Sequence, residues 1–257
     1  SSKKKYLMKY LSKKDFEKFK KKNNFSLCYI IEKKANLAKI ELLIENVLRK
    51  TNSFIFESVE KAKTRGRYTI FGFHPDLILE IKNQNISINK RKISNKLSPK
   101  KFLENFVNRF NYQVPSSLPP MSTLLSGYLG YDMIRYFEKI PDNNIDDLNI
   151  PDVKLIRPTF IYIHDNQTNK LFYIKLKFNK NSSYSKEIKD LQKQIIFDLI
   201  RFPTKKVIKK NSKDKKIKSN FTKKKFINLV KKAKKYISIG DVFQVVLSQR
   251  FEKKLNN

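Results

Sequence analysis

A polar row in a strand-like segment near the end of the chain is the first candidate for chemistry. Residues 240–251 read Gly-Asp-Val-Phe-Gln-Val-Val-Leu-Ser-Gln-Arg-Phe. With the two-residue period of a strand, Gln244, Ser248 and Arg250 fall on one face. An amide such as that of Gln244 cannot act as a general base near neutral pH, but it can orient a substrate or a nucleophile. A structural glutamine bonded to a neighbouring strand is the alternative interpretation.

The other face of this segment is apolar apart from Gln249, and it consists of Phe243, Val245, Leu247 and Phe251. Such a face is normally packed against another element. Only six residues follow position 251. We therefore expect this face to be poorly covered in the chain.

Other residues with reactive side chains lack the partners that chemistry requires. His74 and His164 each lie beside a turn residue, without a second ligand at metal-binding spacing. Cys28 lies inside a strand-like run and is interpreted as a core residue. The acids of 141–152 lack the glycine and the final glutamate of a calcium loop. The sequence contains no phosphate-binding glycine motif and no nucleophile elbow. We therefore predict no metal site in this chain.

Hydrophobic periodicity places these residues on a mixture of helices and strands. Helical spacing and capping residues predict helices over 12–22, 37–49, 98–110 and 184–200 and from 222 onwards. Two hairpin turns are predicted, at 83–84 and at 166–169. Runs of β-branched and aromatic residues predict strands at 25–31, 53–59, 66–73, 75–82, 85–90, 156–165 and 170–178.

A lysine-rich stretch divides the chain. Residues 203–220 contain eight lysines, one acid and little apolar content, which predicts a linker. We therefore expect a domain at 1–202, a linker at 203–220, and the start of a second, incomplete domain at 221–257.

The formal net charge of +34 raises the hypothesis of a nucleic-acid-binding module. Nine of the 57 basic residues are arginine, and the chain contains 24 asparagines. Lysine and asparagine enriched together indicate drift in an AT-rich genome, whereas dedicated nucleic-acid binders cluster arginines. We expect no specific nucleic-acid partner. A lysine-rich nucleic-acid-binding module remains the alternative from a different functional class. It requires tight binding to DNA or RNA with a steep salt dependence.

The chain shows no signal for export or membrane insertion. The basic start has no continuous apolar core of a signal peptide, and no window approaches ~18 uninterrupted apolar residues. A single cysteine excludes an intrachain disulfide and suits a reducing compartment. We expect a cytoplasmic protein without a membrane partner.

Three strings of the sequence, taken in order, resemble the large subunit of anthranilate synthase, component I, a family of chorismate-utilising enzymes. They are Ser-Phe-Ile-Phe-Glu-Ser followed by Gly-Arg-Tyr-Thr (53–69), Gly-Tyr-Leu-Gly-Tyr-Asp (127–132) and the segment 240–251. The last string is the most specific, and the resemblance covers residues 25–257. Lysines at 223–225, 231–232 and 234–235 and the arginine at 65 depart from the family pattern.

The resemblance implies a fold and an activity. The implied fold is α+β, with helices packed outside orthogonal, mainly antiparallel β-sheets. The implied reaction converts chorismate and ammonia to anthranilate and pyruvate, the first step of tryptophan biosynthesis. Ammonia comes from glutamine through an amidotransferase subunit (component II). The full-length enzyme uses Mg²⁺, whose ligands are not in this chain. The chain resembles the N-terminal portion and is expected to be inactive alone. The large subunit of aminodeoxychorismate synthase, in the folate branch, is the alternative.

The resemblance also implies roles for individual residues. Ser58 and Glu57, at the end of a strand, correspond to the family's pocket for the feedback inhibitor L-tryptophan. Strand alternation places these two side chains on opposite faces, and a serine that caps the strand is the competing interpretation. Gln244 corresponds to a position that holds glutamine in the ammonia-using enzymes and lysine in the water-using relatives. This implies that Gln244 positions the substrate or the nucleophile.

Overall fold

The computed structural model describes residues 8–57, 66–94, 96–110, 112–143, 145–179, 181–200 and 217–254. By their internal contacts the residues fall into two compact units, 1–202 and 203–257. The positions 203–216 of the predicted linker and the site residue Ser58 lie outside the described residues.

The first unit combines helices with one antiparallel sheet. Its described helices are α1 (Lys13–Lys22), α2 (Leu37–Leu48), α3 (Pro99–Asn108) and α4 (Tyr184–Asp198), with 3₁₀ turns at Pro120–Ser122 and Tyr131–Tyr136. Its described strands are β1 (Met8–Tyr10), β2 (Ser26–Glu32), β3 (Phe54–Phe56), β4 (Tyr68–Lys82), β5 (Asn85–Ile88), β6 (Arg91–Lys92), β7 (Ser126–Leu129), β8 (Val153–Asp165) and β9 (Lys170–Lys177).

The strand order is β1-β2-β9-β8-β4-β5-β6, with β3 also paired to β4 and β7 also paired to β8. Every one of these pairs is antiparallel. The two predicted hairpins correspond to β4–β5 and β8–β9. Helices α1 and α4 pack against β2, and α2 packs against β3 and β4. The predicted α+β class, with helices against antiparallel strands, is confirmed.

Helix starts follow the capping residues that the sequence offers. Ser12 accepts a hydrogen bond from the Asp15 amide, and Asn36 accepts one from the Ala38 amide. Ser98 caps α3 with Pro99 at the first helical position. These side chains satisfy amides that have no intrahelical partner. The predicted helix starts at these three places are confirmed.

The two strands predicted at 66–73 and 75–82 form one strand, β4, interrupted by a β-bulge. The register with β8 runs Pro75↔Pro158 and then Leu77↔Arg157, so Asp76 is the extra residue. A bulge adds one residue to one strand and shifts its side-chain alternation. His74, just before the bulge, has a φ of 51°, which is outside the strand region. The regular alternation of side chains between the two faces of β4 is therefore interrupted at this point.

The bulge lets β4 contribute to two hydrophobic clusters. Before it, Phe71 and Phe73 lie opposite Tyr162 and Phe160 in the larger cluster. Beyond it, β4 and β8 together supply the smaller cluster through Leu77, Leu79, Ile81, Val153 and Leu155. In the larger cluster β8 is buried on both faces, since Phe160, Ile161, Tyr162 and Ile163 all belong to it.

The second unit is small, and its described part is helix α5 (Lys223–Ser238) and a two-stranded pair, β10 (Lys218–Ser219) with β11 (Phe251–Glu252). Thr222 caps α5, and Gly240, with a φ of 84°, follows its end. The predicted strand over 240–251 is wrong, because only its last residue belongs to a strand. A strand requires a hydrogen-bonded neighbour, and the described part of this unit offers only the two residues of β10.

Candidate functional site

Glu57 directly follows β3, an edge strand that pairs with the first half of β4. The register runs from Phe54↔Gly72 to Phe56↔Ile70, and Glu57 is exposed. A Cβ at Gly72 would lie 2.5 Å from the Phe54 ring, so glycine allows this ring to lie across β4. The structure thus places Glu57 directly after the end of a strand, the position that the family resemblance implied. Its proposed neighbour Ser58 lies outside the described residues.

β4 also pairs with β8, on the side opposite to β3, and an ion pair at the β8–β9 turn fixes the start of β4 there. Arg67 donates to both carboxylate oxygens of Asp165, at 3.2 and 2.8 Å. The Thr168 hydroxyl and the amides of Gln167 and Thr168 also donate to Asp165. Burial opposes ionisation, but Arg67, Thr168 and these amides outweigh it and lower the pKa of Asp165 to about 2. The start of β4 is therefore tied to β8 by a charged, fully bonded carboxylate.

Gln244 lies between Gly240 and β11, in a segment without regular secondary structure, and is exposed. Among the residues that the structure describes, its side chain forms no hydrogen bond. The alternative of a glutamine bonded to a neighbouring strand stays open, because the described part of this unit places no strand beside position 244. The exposed amide is accessible to a ligand.

The remaining polar residues of the segment have local partners. Arg250 forms an ion pair with Glu252, with 3.0 Å between Nε and Oε1. Gln249 donates to the Ser219 hydroxyl at 2.7 Å. The Gln249 contact, together with the hydrogen bond from the Arg250 backbone amide to Asn220 Oδ1, links this segment to β10 and the residue after it.

The apolar face of the segment is exposed, as the sequence predicted. Phe243 is 95 % exposed and Phe251 is 63 % exposed. None of the described residues of this unit, 217–254, is buried. The segment that carries Gln244 therefore lacks the packed surroundings of a finished binding site.

Sequence reasoning missed a buried polar cluster in the first unit. Asp198, at the end of α4, is fully buried, and its carboxylate bonds Lys50 at 2.8 Å and the Tyr162 hydroxyl at 2.9 Å. Gln194 donates to the same carboxylate, and Asn46 donates to the Asp198 carbonyl. Burial, followed by the Asp198 charge, raises the pKa of Tyr162. The cluster joins α2, α4 and β8, and no sequence motif marks it because its members come from three separate stretches of the chain, at 46–50, 162 and 194–198.

The reactive side chains considered in the sequence are structural. Cys28 is buried, and burial raises its thiol pKa to about 12, which keeps it protonated. His164 is buried with its Nε2 2.9 Å from Asn169 Oδ1. Burial and then the Lys50 charge lower the pKa of His74.

The described residues contain no group of three or more His, Cys, Asp or Glu side chains that could hold a metal ion. The described residues therefore do not fit a Mg²⁺ site. Within the same residues, no helix is long and apolar enough to cross a membrane.

Comparison with known proteins identifies the family. Residues 51–257 match the family model described as chorismate binding enzyme. The chain is 30% identical to anthranilate synthase component 1 of Cereibacter sphaeroides, over 82% of this chain and 45% of that protein. It is 31% identical to anthranilate synthase component 1 of Aquifex aeolicus, over 79% of this chain and 42% of that protein.

The fold agrees with a solved structure. The crystal structure of anthranilate synthase component I from Streptococcus pneumoniae TIGR4 superimposes with a TM-score of 0.59 at 24% identity, covering 78% of this chain and 44% of that one. The chain thus spans less than half the length of these relatives. From the family match over four fifths of its length, we conclude that this chain belongs to the chorismate-binding enzyme family.

Proposed function

We propose that this chain is the N-terminal portion of an anthranilate synthase large subunit. The complete enzyme would convert chorismate and ammonia to anthranilate and pyruvate, with ammonia supplied from glutamine by a separate amidotransferase subunit. The observation that carries the proposal is the family match, together with relatives that are named anthranilate synthase. These names also favour this reaction over aminodeoxychorismate synthesis.

In this proposal Gln244 orients ammonia or chorismate through its amide. Its exposure and its lack of a hydrogen-bonding partner among the described residues support this role. An amide donates and accepts hydrogen bonds without changing its charge, which suits a neutral nucleophile better than an activated water. Mg²⁺ belongs to the proposal only for the longer enzyme.

Inhibition by L-tryptophan through Glu57 and Ser58 is part of the same proposal. Glu57 is exposed at the end of β3, where its carboxylate is accessible to an ammonium group. The 257-residue chain would bind L-tryptophan poorly, because the first unit contributes only this edge to the pocket that the family resemblance implies.

The test compares the 257-residue chain with the longer protein that this proposal implies. Both are incubated with chorismate, ammonium and Mg²⁺, and anthranilate is followed by its fluorescence. We expect turnover by the longer protein and none by the 257-residue chain. In the longer protein, Gln244→Lys should reduce anthranilate formation about 100-fold, the scale of a positioned polar catalytic group, while Asn228→Lys, at an exposed position of α5, controls for the added charge. Aminodeoxychorismate as the product of the longer protein, or turnover by the short chain, would contradict the proposal.

A further inference from the structure

A second candidate site lies between α4 and the sheet of the first unit. It is an open pocket of about 520 Å³, lined by Phe160 of β8, Lys175 of β9, and Asp190, Lys193, Gln194 and Phe197 of α4. None of these residues belongs to the end of β3 or to the segment with Gln244. The pocket is therefore separate from the residues of the proposed function.

Two aromatic rings form the apolar part of the pocket. Phe160 is held in place by Phe73, whose ring is stacked on it at 5.3 Å with an interplanar angle of 6°. Phe197, one turn along α4 from Lys193, is 48 % exposed. Phe160 is only 8 % exposed, and the Lys175 ammonium lies 5.6 Å from its ring centroid. The Lys50 ammonium lies 5.0 Å from the Phe197 ring centroid. Most of the aromatic surface that a flat apolar ligand could cover therefore belongs to the exposed part of Phe197.

Most polar groups of the pocket already have partners. Lys175 lies 2.7 Å from a Glu187 oxygen and 2.9 Å from Asp190 Oδ2. Gln194 donates its amide to Asp198. These bonds fix the pocket wall before any ligand binds, which lowers the entropic cost of binding.

Lys193 differs from Lys175 at this site. Within the described part of the chain, its ammonium forms no ion pair and no hydrogen bond, and the residue is exposed at the pocket. The net charge of +34 favours an anionic ligand over a cationic one at long range. A single available ammonium, without an arginine or a row of backbone amides, suits a carboxylate better than a phosphate.

We infer that this pocket binds a small aromatic carboxylate, with its ring against Phe160 and Phe197 and its carboxylate on Lys193. All residues of this pocket belong to the first unit. Binding at this pocket can therefore be tested without any measurement of chorismate turnover.

The probe is benzoate, titrated into the ¹⁵N-labelled 257-residue chain at 0.15 M salt and followed by the backbone amide signals. Acetate, which lacks the ring, and benzamide, which lacks the charge, are the matched probes. We expect benzoate to shift signals of residues 190–197 and of Phe160 and Lys175. Acetate and benzamide should bind about tenfold more weakly, since each loses one of the two contacts.

Variants separate this site from adsorption to the lysine-rich surface. Lys193→Gln should weaken benzoate binding about fivefold, the scale of an exposed ion pair, and Phe197→Ala should weaken it about as much. Lys189→Gln, on the same helix, is the control and should leave the affinity unchanged. The unfolding temperature of each variant verifies that α4 remains folded. Equal binding of acetate and benzoate, or an equal loss in Lys189→Gln and Lys193→Gln, would overturn the inference.

Discussion

Asp165 shows how a single side chain at the end of an inner strand, β8, contributes to stability. Its carboxylate accepts hydrogen bonds from Arg67, Thr168 and two backbone amides, and its pKa of about 2 lies below the ordinary value near 3.9 of an unfolded chain. A folded-state pKa below the unfolded one stabilises the protein fully above the unfolded value. This contribution is lost as the pH falls from about 4 through 2.

Replacing this carboxylate should therefore have a pH-dependent effect. Asp165→Asn is expected to lower the free energy of unfolding by about 2 kcal/mol at pH 6, and this difference from the wild type should shrink towards pH 2. Urea unfolding followed by tyrosine fluorescence measures it, because all tyrosines except Tyr236 lie in residues 1–202. Glu138→Gln, at an exposed carboxylate, is the control. A difference that stays constant down to pH 2 would contradict this explanation.

At the scale of elements, β7 depends on one glycine. Gly127 has a φ of 155°, and a Cβ built there would lie 1.9 Å from the carbonyl oxygen of Lys154 on β8. The pairing of β7 with β8 is therefore possible only without a side chain at this position. Neighbouring Gly130 has an ordinary φ of −70°, and its nearest atom, the Asp152 oxygen, would be 3.1 Å from an added Cβ.

These two glycines provide a matched pair of variants. Gly127→Ala should reduce the free energy of unfolding by about 2–3 kcal/mol, the cost of forcing atoms into a packed region, and should weaken amide-exchange protection of β7. Gly130→Ala should have a smaller effect, since the neighbouring carbonyl needs to move by only a few tenths of an ångström. Equal losses in the two variants would show that the close approach to Lys154 is not the cause.

The elements differ in how far the sequence determines them. Helix starts at Ser12, Asn36 and Ser98 were predictable, because the capping side chain lies within three residues of the amide that it bonds. The end of α4 is different, since the residues bonded to Asp198 come from α2 and β8. The Gln244 segment was predicted as a strand from a local pattern. It is not one, because strand structure depends on a neighbour that local patterns do not reveal.

At the scale of the whole molecule, the two units differ in how well they are packed. The first contains extensive hydrophobic clusters, whereas the described residues of the second include none that is buried. Phe243 and Val246, in the segment between Gly240 and β11, are both at least 80 % exposed. Exposed apolar groups of this kind bind apolar dyes and favour association between molecules.

We therefore expect the 257-residue chain to increase the fluorescence of 8-anilinonaphthalene-1-sulfonate at 0.3 M salt, where attraction of the anionic dye to lysines is screened. The double variant Phe243→Ser, Val246→Ser should lower this signal, because these are the two most exposed large apolar side chains in the described part of the second unit. It should leave the unfolding of the first unit unchanged. Asn228→Ser, an exposed polar change on α5, is the control. An unaltered dye signal in the double variant would place the binding surface elsewhere.

The pairing of β2 with β9 has a consequence for synthesis on the ribosome. Leu27 pairs with Leu176, so β2 emerges about 150 residues before its central partner. At a translation rate of about 5–20 residues per second, this interval is roughly 7 to 30 s. During that time β2, whose seven residues are all buried in the folded chain, has only the three residues of β1 as a strand partner among the described residues. Helix α1, which packs against β2 and is made before it, can shield this strand in the nascent chain until β9 has been made.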